Sequence, residues 1–258
     1  MSHVNLVEIF SSVQGEGPYV GASTLFVRFG ECDLRCRWCD SPHTWRPAAR
    51  CRIETRRGSA EFREIANPVA QADAVAAAEA LELTAHRFVS LTGGEPLLQP
   101  DAAASLARAL RGRGPRIYLE THGVATAALE RVVDDVDVVS MDWKLASDVR
   151  RADDPARGPV RDFHAEHAAF LARACRSAEV FVKVVVTPAS TDAELDLVAR
   201  GVAAVDPKVP LIIQPVTPRG GVKERPSAAR LLQIAARLER ELADVRVIPQ
   251  THPLYGAL

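Results

Sequence analysis

The chain has 258 residues, 47% hydrophobic and 25% charged, the make-up of a globular protein rather than a disordered or fibrous one. Its 32 Lys and Arg against 33 Asp and Glu leave a formal charge of −1, so net charge gives no argument for a nucleic-acid or membrane-surface partner. No apolar run approaches the roughly 20 residues of a spanning helix, and MSHVNLVEIF lacks the basic-then-apolar pattern of an export signal. The expectation is a cytoplasmic protein whose length suits one α/β domain over 1–258.

In chain order, VNLVEIF and STLFVRF read as two strands flanking a turn, an N-terminal β extension. Residues 30–67 show little periodicity. Within them 31–45 is a cysteine-bearing loop, and 46–68, with six arginines against three acids, reads as a solvated surface insertion. After residue 68 helices and strands alternate: helix 69–83, strand 87–92, helix 101–113, strand 116–120, helix 125–133, strand 136–143, helix 161–177, strand 179–187, helix 191–204, strand 210–216, helix 225–243, strand 245–249. The strands are almost continuously apolar, as where both faces are covered, and their alternation with helices predicts a parallel sheet. A full or partial barrel fits the length best.

Five cysteines, Cys32, Cys36, Cys39, Cys51 and Cys175, make an odd number in a chain with no export pattern, which argues against a disulfide framework. Three of them fall in ECDLRCRWCD, a Cys-x3-Cys-x2-Cys loop that follows the strand LFVRFG. That places three soft thiolates at the carboxyl end of a strand, where functional loops of α/β barrels gather. Two groups suit them: zinc, with His43 or Cys51 as fourth ligand, or an iron–sulfur cluster with one open iron. Lone Cys51 and Cys175 read as ordinary thiols. A second constellation, Leu91-Thr92-Gly93-Gly94-Glu95-Pro96, also follows a strand. Its glycines let the backbone approach a ligand closely, and its carboxylate can accept hydrogen bonds from an ammonium.

Cys32, Cys36 and Cys39 with Trp38, followed by Gly93-Gly94-Glu95-Pro96, resemble the radical S-adenosylmethionine superfamily over roughly residues 25–215. EIFSSVQGEGPYVG, STLFVRFGECDLRCRWCDSPHTW and the terminal RVIPQTHPLYGAL are similar, over almost the whole chain, to the 7-carboxy-7-deazaguanine synthases. The resemblance implies a partial (β/α)6-type TIM-like barrel carrying a [4Fe–4S] cluster, S-adenosylmethionine and Mg²⁺. The implied reaction takes hydrogen from C6 of 6-carboxy-5,6,7,8-tetrahydropterin and expels ammonia to give 7-carboxy-7-deazaguanine, in the queuosine and deazapurine pathway. A glycyl-radical-enzyme activase shares the cysteine spacing but would leave QGEG and QTH without a role. A zinc-stabilised binding domain would leave the glycine turn and the barrel periodicity without one.

For the substrate the resemblance implicates Val13, Gln14, Gly15 and Glu16, whose amide and carboxylate suit the edge of a pterin, and Arg28, whose planar fork suits a carboxylate. Thr92, His252 and the terminal Leu258 join them, the tail 245–258 closing over the site. For S-adenosylmethionine it implicates Trp38, Cys39, Asp40, Gly94, Glu120, Thr121, His122, Ser140 and Lys144. The last two lie in SMDWK, which departs from the Ser-Pro-Lys-Pro of many relatives. Cys32, Cys36 and Cys39 would hold the cluster, and Ser41 the Mg²⁺, a hard cation that suits oxygen ligands. The resemblance also implies a flavodoxin- or ferredoxin-type electron donor, for which the arginines of 46–68 offer a basic surface, and a homodimer.

Overall fold

The computed structural model describes residues 3–155 and 158–256. Its largest sheet has ten strands: β1 (Leu6–Val13), β2 (Ser23–Phe29), β3 (Arg50–Glu54), β4 (Phe62–Ala66), β5 (Phe88–Gly93), β6 (Arg116–Thr121), β7 (Val138–Asp142), β8 (Glu179–Val186), β9 (Leu211–Pro215) and β10 (Val245–Val247). Their order is β10-β9-β8-β7-β6-β5-β2-β1-β3-β4. From β2 to β10 every neighbouring pair is parallel. Six helices lie in the connections: α1 (Gln71–Ala80), α2 (Pro100–Leu110), α3 (Thr126–Leu129), α4 (His164–Ala174), α5 (Asp192–Val205) and α6 (Ala228–Leu238). This is the α/β architecture expected from the sequence. The sheet ends at β10 on one side and β4 on the other, an open partial barrel among the described residues.

Local chemistry sets the helix starts. The Thr191 hydroxyl accepts from Glu194 N while Glu194 reaches back to the Thr191 backbone, a reciprocal cap on α5. Ser227 accepts from Arg230 N at the start of α6. Helix 69–83 starts two residues later than expected, because Val69–Ala70 pairs with His3–Val4 as a small separate sheet.

The segment 46–68 is not a solvated loop. Its two halves form the antiparallel pair β3–β4, and β3 adds in parallel to β1. Cys51 and Ile53 point into the core while Arg50 and Arg52 point out. The period-2 alternation of Cys51 to Ile53 carried this information, but the arginines masked it. At the turn, Arg57 reaches Glu82 at 2.9 Å and the hydroxyl of Ser23 at 3.4 Å. Ser23 begins β2, so the turn lies at the opposite end of that strand from the cysteine loop.

Inside the barrel the strands change character along their length. Phe88, Tyr118, Val138, Phe181 and Ile212 form a buried apolar floor joined by Tyr19. Tyr19 meets Phe88 at 4.8 Å with the rings tilted by 60°, and Phe88 and Tyr118 meet edge-on at 5.4 Å. Gly17, at φ +66°, rests on the Phe181 ring with no room for a Cβ. The loop after β1 is therefore a plug seated on aromatic rings. Further along the same faces the residues become polar: Thr92, Glu120, Asp142, Lys183 and Gln214. Phe181→Ala is expected to lower stability by about 3–5 kcal/mol, as for other buried Phe truncations, and to raise the substrate KM by loosening the plug. Urea unfolding and steady-state kinetics check both effects, and a loss below about 1 kcal/mol would mean that the ring does not support the plug.

Candidate active site

Above the polar layer a cavity of about 440 Å³ opens at the carboxyl ends of the parallel strands. Widely separated segments line it. The β1 end and plug bring Val13, Gln14, Gly15 and Glu16, and β2 brings Arg28. The loop after β2 brings Cys32, Cys36, Trp38, Cys39, Asp40 and Ser41. Thr92, Gly94, Glu120, Thr121, His122 and Lys144 come from the ends of β5, β6 and β7, and His252 from the tail. All of these were singled out from the sequence.

The cysteine loop is clamped from below by the glycine turn. Gly94 N–H donates to the Phe29 carbonyl at 3.0 Å and Glu95 N–H to the Glu31 carbonyl at 2.8 Å. A Cβ on Gly94 would overlap the Glu31 carbonyl, and Gly93 stands at φ +122°. Both glycines are thus required by backbone approach. Glu95 does not face the cavity, contrary to the reading of it as an ammonium acceptor. Fully buried, its carboxylate accepts from Thr121 Oγ1 and His122 N, both at 2.8 Å, and from Leu97 N at 3.0 Å. His122 in turn meets Asp33 of the loop at 2.8 Å. Burial opposes charge on His122, but the carboxylates of Glu95 and Asp33 outweigh it and raise its pKa.

Cys32, Cys36 and Cys39 are free, partly buried thiols. Burial pushes the Cys32 thiol up to about 12 and the Cys36 thiol up to about 11. Such thiols become thiolates against a cation, and iron supplies that charge. Cys51 cannot complete a tetrahedral zinc site with them, because it is buried in the main core on β3. Cys175 is exposed just beyond α4. Among the described residues no three His, Cys, Asp or Glu side chains are gathered as a single ion would need. Three thiols from one loop fit a [4Fe–4S] cluster with one iron left open. Beside them the Trp38 ring lies under Lys144 Nζ at 4.8 Å, and its indole N–H is buried without a hydrogen-bond partner among the described residues.

Sequence reasoning missed the charged network at the cavity's base. Lys183 on β8, nearly fully buried, sits between Glu16, which it contacts closely, and Asp142 at 3.1 Å. Lys144 meets the same Asp142 at 2.9 Å. Burial alone would raise the Asp142 pKa, yet the two ammonium groups hold it down at about 2, while both carboxylates keep Lys183 protonated. Glu16 also accepts from Gln214 Nε2 at 3.1 Å and Gln250 Nε2 at 2.6 Å. The available signal was a lysine or glutamine interrupting an apolar strand, as in EVFVKVVV and LIIQP. Lys144 is aimed by its own backbone: its N–H donates to His167 Nε2 at 2.9 Å, while His167 Nδ1 faces the Gly123 carbonyl at 2.8 Å.

The remaining polar groups are cross-braced. Glu120 accepts from Ser90 and Thr92 hydroxyls, both at 2.8 Å, and from Gln14 Nε2 at 3.0 Å. Arg28 gives its Nε to Glu8 at 2.8 Å, and its charge also counters the burial of Asp40, whose pKa is lowered. His252 occupies the space where a Cβ of Gly15 would stand, and Thr251 N–H donates to the Gly15 carbonyl at 2.9 Å. One expected residue is not at the cavity, and another cannot be placed. Ser140 is buried below it on β7, hydrogen-bonded to Tyr118, because side-chain alternation places it one step nearer the floor than Asp142. Leu258 lies outside the described residues.

With this geometry in hand, comparison with known proteins is direct. Residues 27–202 match the radical SAM superfamily. A 7-carboxy-7-deazaguanine synthase of Geobacter sulfurreducens is 39% identical across 98% of this chain and 97% of its own length. That of Methanopyrus kandleri is 36% identical, over 97% and 93% respectively. The crystal structure of QueE from Escherichia coli shares the fold, with TM-score 0.62, 22% identity and coverage of 97% of this chain and 95% of that one. The cysteine loop, glycine turn and open barrel thus place the chain in the radical SAM superfamily and, within it, in the 7-carboxy-7-deazaguanine synthase family. The superfamily implies a [4Fe–4S] cluster and S-adenosylmethionine.

Asp142→Asn is expected to remove a stabilisation that depends on pH in one direction. The folded pKa lies below the usual 3.8, so the ionised carboxylate stabilises the fold above that pH, and the contribution disappears as pH falls toward about 2. Denaturant midpoints of the two proteins should differ at pH 6 and converge near pH 2. A constant difference across that range would show that the ion pairs are not its source.

Proposed function

We propose that this chain is a carbon–nitrogen lyase that converts 6-carboxy-5,6,7,8-tetrahydropterin to 7-carboxy-7-deazaguanine with release of ammonia, in 7-deazapurine and queuosine biosynthesis. The observation that carries this reading is where the cavity's base and roof come from. Gln14 to Glu16 and Gln250 to His252 lie outside the superfamily match at 27–202, yet they fall within the full-length likeness to curated relatives of that name. Cys32, Cys36 and Cys39 would hold the cluster, which together with S-adenosylmethionine would supply one-electron radical chemistry.

The chain's own side chains bind and orient. Arg28 would exchange part of its pairing with Glu8 for the substrate carboxylate, as a planar charge-assisted donor. Gln14 and Glu16 would present an amide and a carboxylate to the donor–acceptor edge of the pterin, with Glu16 held in place by Lys183, Gln214 and Gln250. Lys183, kept protonated, would serve as an N–H donor rather than as a base. Thr92 touches the substrate in this reading, and His252 with the carboxylate of Leu258 closes over it. Trp38, Cys39, Asp40, Gly94, Glu120, Thr121, His122 and Lys144 form the S-adenosylmethionine side, and Ser140 would support it from beneath. Ser41, whose hydroxyl lies 3.1 Å from Asp40 Oδ1, offers Mg²⁺ the hard oxygen environment it prefers. Mg²⁺ there would polarise substrate oxygens.

The chain would act as a single domain in the cytoplasm and as a homodimer. Leu197 and Leu232, exposed on the adjacent helices α5 and α6, support a contact between copies. Sedimentation would then give the mass of two chains.

The test is anaerobic turnover of iron-loaded protein with dithionite, S-adenosylmethionine, Mg²⁺ and the carboxypterin, read by mass spectrometry. The expected result is 7-carboxy-7-deazaguanine in excess over S-adenosylmethionine consumed, with a slower rate when Mg²⁺ is withheld. Arg28→Ala should raise KM roughly 10- to 100-fold, the loss of a charged hydrogen bond worth about 1.5–3 kcal/mol. Formation of 5′-deoxyadenosine without the deazapurine would refute the substrate while leaving the superfamily intact.

A further inference from the structure

Glu8 is an acid in the apolar run VNLVEIF, and a local irregularity puts it where it stands. Between β1 and β2 the partners run Leu6 to Phe29, then Glu8 to Arg28, Ile9 to Val27 and Phe10 to Phe26, so Val7 is an extra residue, a β-bulge. Without the bulge, alternation would put Leu6 and Glu8 on one face. With it, Leu6 and Ile9 both pack in the main core, while Glu8 and Phe10 line the active cavity. Bulges beside functional sites re-aim side chains in this way.

The re-aimed carboxylate sits in a row of alternating charge across three strands. Glu8 pairs with Arg28 on β2 and with Arg52 on β3. Its Oε1 accepts from Arg28 Nε at 2.8 Å and its Oε2 from Arg52 Nη1 at 3.4 Å. Glu64 stands opposite Arg52 on β4, but its carboxylate goes to Arg50 at 2.7 Å, while the Arg52 guanidinium lies on the Phe62 ring at 4.1 Å. One carboxylate therefore serves two guanidinium groups, and the trio keeps a positive excess. That excess meets the cavity at Arg28, whose side chain is 20% exposed and whose two Nη groups donate no hydrogen bond among the described residues. Asp40 feels the charge of Arg28 but is hydrogen-bonded to Ser41 and Gln250 instead.

We infer that Glu8 and Arg52 are positioning residues that set how tightly Arg28 holds the substrate carboxylate. Glu8 fixes the guanidinium through Nε and competes for its charge, and Arg52 weakens that competition by drawing on the other carboxylate oxygen. The inference rests on the proposed substrate, since it needs a carboxylate at Arg28. Such a carboxylate extends the row to four alternating charges, and opposite charges on adjacent strands support one another. Arg52 thus favours the substrate without touching it, which gives the hairpin β3–β4 a part in the site. Arg57 at its turn has no such part, being paired with Glu82 at the far end of β2.

The experiment is anaerobic equilibrium dialysis of 6-carboxypterin, and of pterin without the carboxylate, against iron-loaded protein with S-adenosylmethionine. The ratio of the two Kd values isolates the carboxylate, because a loosened fold weakens both ligands alike. The parent should prefer 6-carboxypterin. Arg52→Gln should cut that preference about two- to fivefold, the scale of a half-exposed ion pair. Arg52→Lys should restore most of it, and Arg57→Gln should leave it unchanged. Glu8→Gln should raise the preference by a similar factor, since its amide oxygen still accepts from Arg28 while the competing charge is gone. The KM of the tetrahydropterin substrate should follow the ratio, with kcat within about twofold. An unchanged ratio in Arg52→Gln, equal weakening of both pterins, or a shift of the same sign in Arg52→Gln and Glu8→Gln would overturn the inference. Arg52 is half-exposed, so its variants decide the matter even if Glu8→Gln fails to fold. A parent that binds the two pterins alike would refute the carboxylate's place at Arg28, and this inference with it, before any variant is read.

Discussion

Lys183 is a buried ammonium, and a buried ammonium is tolerated only where carboxylates replace the water it has lost. Those carboxylates, Glu16 and Asp142, come from the plug and from a neighbouring strand. Glu16 is shared with Gln214 on β9 and Gln250 of the tail, and Asp142 with Lys144, whose ammonium covers Trp38 in the cysteine loop. One cation thus ties together segments from both ends of the chain and its middle. Taking away either carboxylate would leave the nearly buried ammonium short of compensating charge, so the position of each partner depends on the others.

The barrel divides its work along the strand axis. Aromatic and aliphatic side chains at one end make a floor that needs no particular chemistry beyond packing. Alternation then returns the same strand faces to the interior one or two steps later as Thr92, Glu120, Asp142, Lys183 and Gln214. The glycine turn completes the arrangement from outside: its backbone, with the buried Glu95 behind it, fixes the height at which the three thiols stand.

Much of this was readable in the amino-acid order, for identifiable reasons. Short apolar runs such as RFVSLT and RIYLE, bounded by turn residues and alternating with Ala-rich stretches, read as buried strands covered by helices. Cys-x3-Cys-x2-Cys is local, so spacing alone revealed a metal-binding loop. The segment 46–68 was misread because its arginines suggested solvent, whereas every second residue of RCRIE was headed for the core. Glu95 was misread in the other direction, since its partners, Thr121 and His122, lie 26 and 27 residues away in sequence.

By itself the sequence determined the periodicity, the order of the elements and the cluster of thiols, because these depend on neighbours a few positions apart. It also pointed to most of the cavity's lining, though not to Asp142 and Lys183 at its base. Only the tertiary structure decided which of them face one another: that Gln14 braces Glu120, that Lys183 bridges Glu16 and Asp142, that His252 lies on Gly15, and that Ser140 stays below the cavity. Those pairings join residues from about 40 to more than 200 positions apart, and they follow from strand register and from the demand that buried charge be matched, neither of which has a local signature in the chain.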